Sequence, residues 1–98
     1  MIIVIAKLIP KEDKETDIIR IASDLIDVTR NEPKNISYDF VSSLDDNSFL
    51  FIEKWEDMDG LNNHLNSSHF RIFDHLSKIF VEDTEITVYD SEEINLME

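Results

Sequence analysis

The stretch Ile36-Ser37-Tyr38-Asp39-Phe40-Val41-Ser42-Ser43-Leu44-Asp45-Asp46-Asn47-Ser48-Phe49-Leu50-Phe51-Ile52-Glu53-Lys54-Trp55-Glu56 decides the fold. Residues 36–41 alternate with period two and read as a strand. Leu44 to Ser48 reads as a hairpin loop, with Asp46-Asn47 tolerant of left-handed dihedrals. Phe49 to Glu56 reads as a second strand of the pair, apolar on both faces at its start.

Upstream, Ile2-Ile3-Val4-Ile5-Ala6-Lys7-Leu8-Ile9 is β-branched and almost continuously apolar, so it is expected to be a strand covered on both faces. Pro10 ends it. From Lys11 to about Thr29 the pattern becomes helical: Ile18, Ile19, Ala22, Leu25, Ile26 and Thr29 share a stripe, and Glu15, Arg20, Asp24 and Asp27 face water. Glu12, Asp13 and Glu15 suit the positive end of the helix dipole. Asn31 to Asn35 is a turn. Downstream, Asp57 is expected to N-cap a short helix with Met58, Leu61 and Leu65 on one side. Ser67-Ser68 can cap a further helix carrying Phe70, Phe73, Leu76 and Phe80, and Glu85 to Asp90 is a fourth strand.

The order β-α-β-β-α-β is the ferredoxin-like arrangement, an α+β fold with a four-stranded antiparallel sheet. Helices cover one face of such a sheet. The first and third strands are apolar on both sides, so the second face is expected to be covered by a second copy, as a two-fold homodimer. Residues 1–90 form one domain, and residues 91–98 an acidic C-terminal tail.

The composition narrows the function classes. The 98 residues carry 9 basic against 22 acidic side chains, a net charge of −13 that repels phosphate backbones and anionic lipid surfaces. Neither nucleic acid nor membrane is an expected partner. With no cysteine there is no disulfide, thiolate nucleophile or cysteine-held metal. No span of membrane length or leader-like segment is recognised, so a cytoplasmic location is expected.

Three motifs carry a resemblance. Glu32-Pro33-Lys34-Asn35-Ile36-Ser37-Tyr38 looks like an E-P-G-C-x-x-Y turn and strand. Phe51-Ile52-Glu53-Lys54-Trp55-Glu56-Asp57 looks like an E-x-W-E-D strand end, and His64-Leu65-Asn66-Ser67-Ser68-His69-Phe70 like an H-L-x-S-x-H-F helix junction. Over about residues 2–90 the chain resembles the antibiotic biosynthesis monooxygenase family of dimeric α+β barrels, in its quinol-monooxygenase-like branch. The resemblance implies a cavity between helices and sheet. For some members it implies oxygenation of quinols or polycyclic phenols by O2 without metal, haem or flavin; no cofactor is therefore expected. Other relatives degrade haem, isomerise small metabolites, or have no known reaction. The haem-degrading branch uses an Asn on its first strand, and Ile2 to Ile9 has none. Lys34 stands where the family turn has Gly, so Lys34 or Asn35 is expected to take up the dihedrals glycine would supply.

Candidate residues follow. His64 is either a surface or hydrogen-bonded boundary histidine on the flank of the short helix or, as the resemblance favours, a general base for a phenolic substrate. Trp55 is a core anchor, an aromatic wall, or both. His69 lines the cavity or only caps and packs; His75 is solvated. Phe51 and Phe73 are apolar walls. Tyr38 is expected to share a face with Ile36 and Phe40, packed there with its hydroxyl satisfied rather than transferring a proton. Glu53 between Phe51 and Trp55 needs a partner or a raised pKa if that face is covered, with Lys7 or Arg71 the expected ion pair. His64, His69 and His75 lack a metal-ligand spacing with a nearby carboxylate, so no metal site is expected.

The expected activity is therefore oxidation of a quinol or similar electron-rich aromatic by O2, with His64 and Trp55 catalytic and His69, Phe51, Phe73, Tyr38 and Glu53 binding substrate. The alternatives are a non-catalytic small-molecule-binding or stress-response dimer, and an isomerase of a small carbonyl metabolite. A phosphorylated ligand would need a basic cluster, for which Lys7, Lys54 and Arg71 are the candidates.

Overall fold

A computed structural model describes residues 1–97, so the last residue of the expected tail lies outside the described residues. The elements are β1 (Ile2–Pro10), α1 (Glu15–Thr29), β2 (Asn35–Ser42), β3 (Phe49–Trp55), α2 (Met58–Leu65), α3 (Ser68–Phe80) and β4 (Val81–Asp90). The sheet order is β2-β3-β1-β4, antiparallel at each junction. This is the ferredoxin-like arrangement expected, with the second helical segment split in two.

The pleat sorts the side chains. Ile2, Val4, Ala6 and Leu8 of β1 and Phe49, Phe51, Glu53 and Trp55 of β3 point toward the helices and are buried. From α1 they meet Ile18, Ile21, Ala22 and Leu25. The expected α1 stripe needs one correction: Ile21 is buried, whereas Ile19 is 47% exposed. At about 100° per residue, positions 18, 21, 22, 25 and 29 form one ridge and position 19 is turned away from it.

The α1 start is also later than the pattern indicated. Residues 11–14 form a turn in which Asp13 takes the left-handed conformation (φ 63°). In α2 the buried side is Gly60, Leu61 and His64, with Met58 and Leu65 exposed. His64 thus lies at the centre of the buried side, not on its flank. Both caps form as expected: Asp57 accepts from the Gly60 N–H at 2.9 Å and Ser67 from the Phe70 N–H at 3.2 Å.

A register shift between Asn35 and Ser37 opposite Trp55 and Lys54 breaks the alternation at the start of β2. Tyr38 is therefore buried beside Phe40, while Ile36, expected on the same face, is turned out and 52% exposed. Neither Lys34 nor Asn35 has positive φ. The α1–β2 turn closes through Glu32 N–H to Thr29 O and Asn35 N–H to Glu32 O hydrogen bonds, at 2.9 and 3.1 Å, without a left-handed residue.

On the outer sheet face, Ile3, Ile5, Leu50 and Ile52 are half-buried or exposed. Among the described residues no helix is long and apolar enough to cross a membrane.

Candidate active site

β1, β3 and β2 form the floor of a cavity of about 560 Å³, roofed by α2 and α3 and bounded on one side by β4. Its walls are mainly apolar, among them Val4, Ala6, Phe51, Leu61 and Phe73. It opens along β4, where Ile86 and Val88 pair with Ala6 and Val4 yet remain 63% and 47% exposed. Two polar side chains rise from its floor, Tyr38 and Glu53, which are cross-strand neighbours. Lys78, Asp74 and Asp83 stand around it.

Of the residues singled out in the sequence, Tyr38, Phe51, Glu53 and Phe73 border this cavity; His64, Trp55 and His69 do not. His64 is fully buried, its ring 4.9 Å from that of Trp55 and 5.1 Å from that of Phe70 between centroids. It reaches the cavity through Tyr38, whose hydroxyl lies 3.2 Å from His64 Nε2. His64 Nδ1 is 2.7 Å from Glu32 Oε2, and His69 Nε2 reaches the same oxygen at 2.9 Å.

The hydrogen-bond directions follow from the chemistry of the groups. The Glu32 carboxylate accepts, so His64 Nδ1 carries the proton and donates. Burial holds His64 below the usual histidine pKa, outweighing the opposing effect of Glu32. The ring is then neutral near pH 7, and Nε2 accepts from the Tyr38 hydroxyl. The Tyr38 pKa is raised far above its usual value, first by burial and then by the charges of Glu53 and Glu32. The result is a directed chain from the cavity: Tyr38 O–H to His64, His64 N–H to Glu32.

Among the described residues Glu53 has no cationic partner. Its Oε1 accepts from Trp55 Nε1 at 3.0 Å, while Lys7, expected as a partner, pairs instead with Asp46 at 3.2 Å, and Arg71 is exposed. Burial pushes Glu53 up to about 7; the Trp55 N–H opposes this and Glu32 adds to it.

Sequence reading did not single out Glu32, although it begins the first motif. It stands 32 positions before His64 and 37 before His69, and only the α1–β2 turn brings it between them. One ligand atom from each of Glu32, His64 and His69 lies within 4.8 Å of the others, a juxtaposition with the donor types of a metal centre. Among the described residues no basic cluster lines the cavity: Lys7, Lys54 and Arg71 are elsewhere, and Lys78 is paired with Asp74 at 3.3 Å.

Comparisons with known proteins agree with this architecture. Residues 1–75 match the antibiotic biosynthesis monooxygenase family. Over 90 residues the chain is 33% identical to the uncharacterized protein sll1783 of Synechocystis, covering 90% of this chain and 61% of that protein. It thus spans about three fifths of that relative's length. It is 30% identical over 74 residues to "Putative monooxygenase YcnE" of Bacillus subtilis, covering 74% of this chain and 78% of that one. Among solved structures, a conserved protein from Methanosarcina mazei superposes with a TM-score of 0.89 at 28% identity, covering 93% of this chain and 92% of its own. With that match spanning strand β1 to the middle of α3, the chain belongs to the antibiotic biosynthesis monooxygenase family.

Proposed function

We propose that this protein is a cofactor-independent monooxygenase that oxidises a quinol or similar electron-rich aromatic with O2, working as a two-fold dimer through its outer sheet face. The observation that carries the reading is the pairing of an apolar cavity with a proton path leading out of its floor. A cavity of about 560 Å³ lies in the usual range for small-molecule sites. Phe51 and Phe73 supply flat apolar surface for a ring.

The chemistry needs little from the protein because the substrate supplies its own electrons. The substrate hydroxyl gives its proton to the Tyr38 oxygen as the Tyr38 proton passes to His64 Nε2. The imidazolium formed is stabilised by Glu32, 2.7 Å from Nδ1. The substrate anion then reduces O2; one oxygen atom enters the ring and the other leaves as water, giving a hydroxylated quinone. Glu53 holds a second substrate hydroxyl, and Trp55 positions Glu53 through its N–H and supports the His64 ring. His69 steadies Glu32.

Oxygen uptake by chelator-treated protein, measured with a panel of quinols against the autoxidation of each, tests the proposal. The expected result is uptake above background that falls by about 10²–10⁴-fold in both His64→Ala and Tyr38→Phe. Undiminished rates in both variants would overturn the proton path. Thermal stabilisation by the same compounds without oxygen uptake would support a binding protein instead.

A further inference from the structure

On the far side of His64 from the cavity, the α1–β2 turn and the α2–α3 junction bring two imidazoles and a carboxylate together. We propose that Glu32, His64 and His69 form a binding site for one divalent transition-metal ion of the Zn2+ or Co2+ kind. This goes beyond the oxygenation reading, which does not require the ion.

Three features favour such an ion. The donor set, two imidazole nitrogens and one carboxylate oxygen, suits borderline ions and leaves a position for water or ligand. The three ligand atoms lie within 4.8 Å of one another. Donors about 2.1 Å from a tetrahedral ion stand roughly 3.4 Å apart, so the 2.7 and 2.9 Å contacts would open by about 0.7 and 0.5 Å to admit it. Finally, the ligands are held before any ion arrives. The His64 ring is packed against Trp55 and Phe70, and its second nitrogen faces the Tyr38 hydroxyl at 3.2 Å, the outer partner that metal-bound histidines usually have. The His69 and Glu32 side chains, 21% and 15% exposed, keep the third side open to solvent.

An imidazole that binds an ion through one nitrogen keeps its proton on the other. For His64 this has a consequence in the cavity: with Nδ1 on the ion, Nε2 carries the proton and donates to Tyr38. Nε2 can then no longer accept from Tyr38, and the tyrosine hydroxyl is free to donate to a ligand. Metal occupancy and proton uptake at His64 therefore exclude each other.

The test uses the full chain, stripped by chelator and titrated with Co2+ alone. Ligand-field absorption is expected to saturate at one ion per chain. Zn2+ is expected to raise the melting temperature with its concentration, and to move the ring-nitrogen NMR signals of His64 and His69 but not those of exposed His75. His69→Ala and Glu32→Gln should each weaken Co2+ binding by more than the roughly 10–100-fold that an outer partner is worth, and Tyr38→Phe by about that much. Absence of a saturating signal would overturn the site. So would wild-type affinity in both His69→Ala and Glu32→Gln, which would place the ions on the acidic surface. The oxygenation reading is tested in chelated protein, so either idea can fail alone.

Discussion

Gly60 on α2 packs directly against Lys34 of the α1–β2 turn: a Cβ on Gly60 would meet the Lys34 Cβ at 2.7 Å. The glycine has ordinary helical dihedrals, so what it supplies is space, not a left-handed conformation. The Lys34 Cβ is fixed by its own backbone and cannot swing aside. Lys34 also reaches across to Asp57, the α2 N-cap, at 2.8 Å.

Gly60→Ala is therefore expected to destabilise the protein by about 1–3 kcal/mol, despite the roughly 1 kcal/mol by which alanine favours a helix interior. Adding Lys34→Gly should recover part of the loss. Urea unfolding of the two single variants and the double variant checks the coupling; additive effects would show that the two sites do not interact.

Glu53 predicts a pH dependence of stability. Its folded pKa of about 7 exceeds the ordinary value of 4.5, so between these values the native state holds more protons than the unfolded chain. Its contribution to stability consequently falls as pH rises from about 4.5 to 7, by roughly 3 kcal/mol. Glu53→Gln keeps an acceptor for the Trp55 N–H and should stabilise the protein at pH 8 relative to pH 4. The measurement is the difference in urea midpoints between wild type and variant across this range, which cancels the other carboxylates.

Tyr38→Phe keeps the packing against Phe51, 5.3 Å away between ring centroids, but leaves buried His64 Nε2 without a partner. It is expected to cost about 1–3 kcal/mol in thermal or chemical unfolding, the usual penalty for a buried group left unpaired.

Thr29 is fully buried, and its Oγ1 has no hydrogen-bond partner among the described residues. Thr29→Val has nearly the same shape without the hydroxyl and should raise stability by about 1 kcal/mol, whereas Thr29→Ser keeps the unpaired oxygen and loses a methyl group. Melting temperatures of the two variants should move in opposite directions.

The proposed dimer has its own test. Changing both Ile5 and Ile52 to Lys places charge on the outer sheet face without touching the core beneath the helices. Sedimentation velocity is expected to show dimers for the wild type and monomers for the double variant.

The sequence by itself determined the element order and most of the core. Period-two alternation in Tyr38-Asp39-Phe40, the parity of Phe49, Phe51, Glu53 and Trp55, and the caps at Asp57 and Ser67 are local signals, and a strand or helix end is set by local sterics and hydrogen bonds. The exceptions were places where local periodicity yields to long-range pairing. The irregular register that turned Ile36 outward is imposed by β3, and the choice between Ile19 and Ile21 by the sheet beneath α1. The site was legible only in part. That Glu53, if covered, needs a partner or a raised pKa followed from its neighbours in the strand, but that Trp55 and not a cation partners it did not. Tertiary structure alone placed Tyr38 between the cavity and His64, and carried Glu32 to both histidines. Those contacts join residues 26 to 37 positions apart on different elements. A hydrogen bond depends on a few tenths of an ångström, which no spacing along the chain encodes.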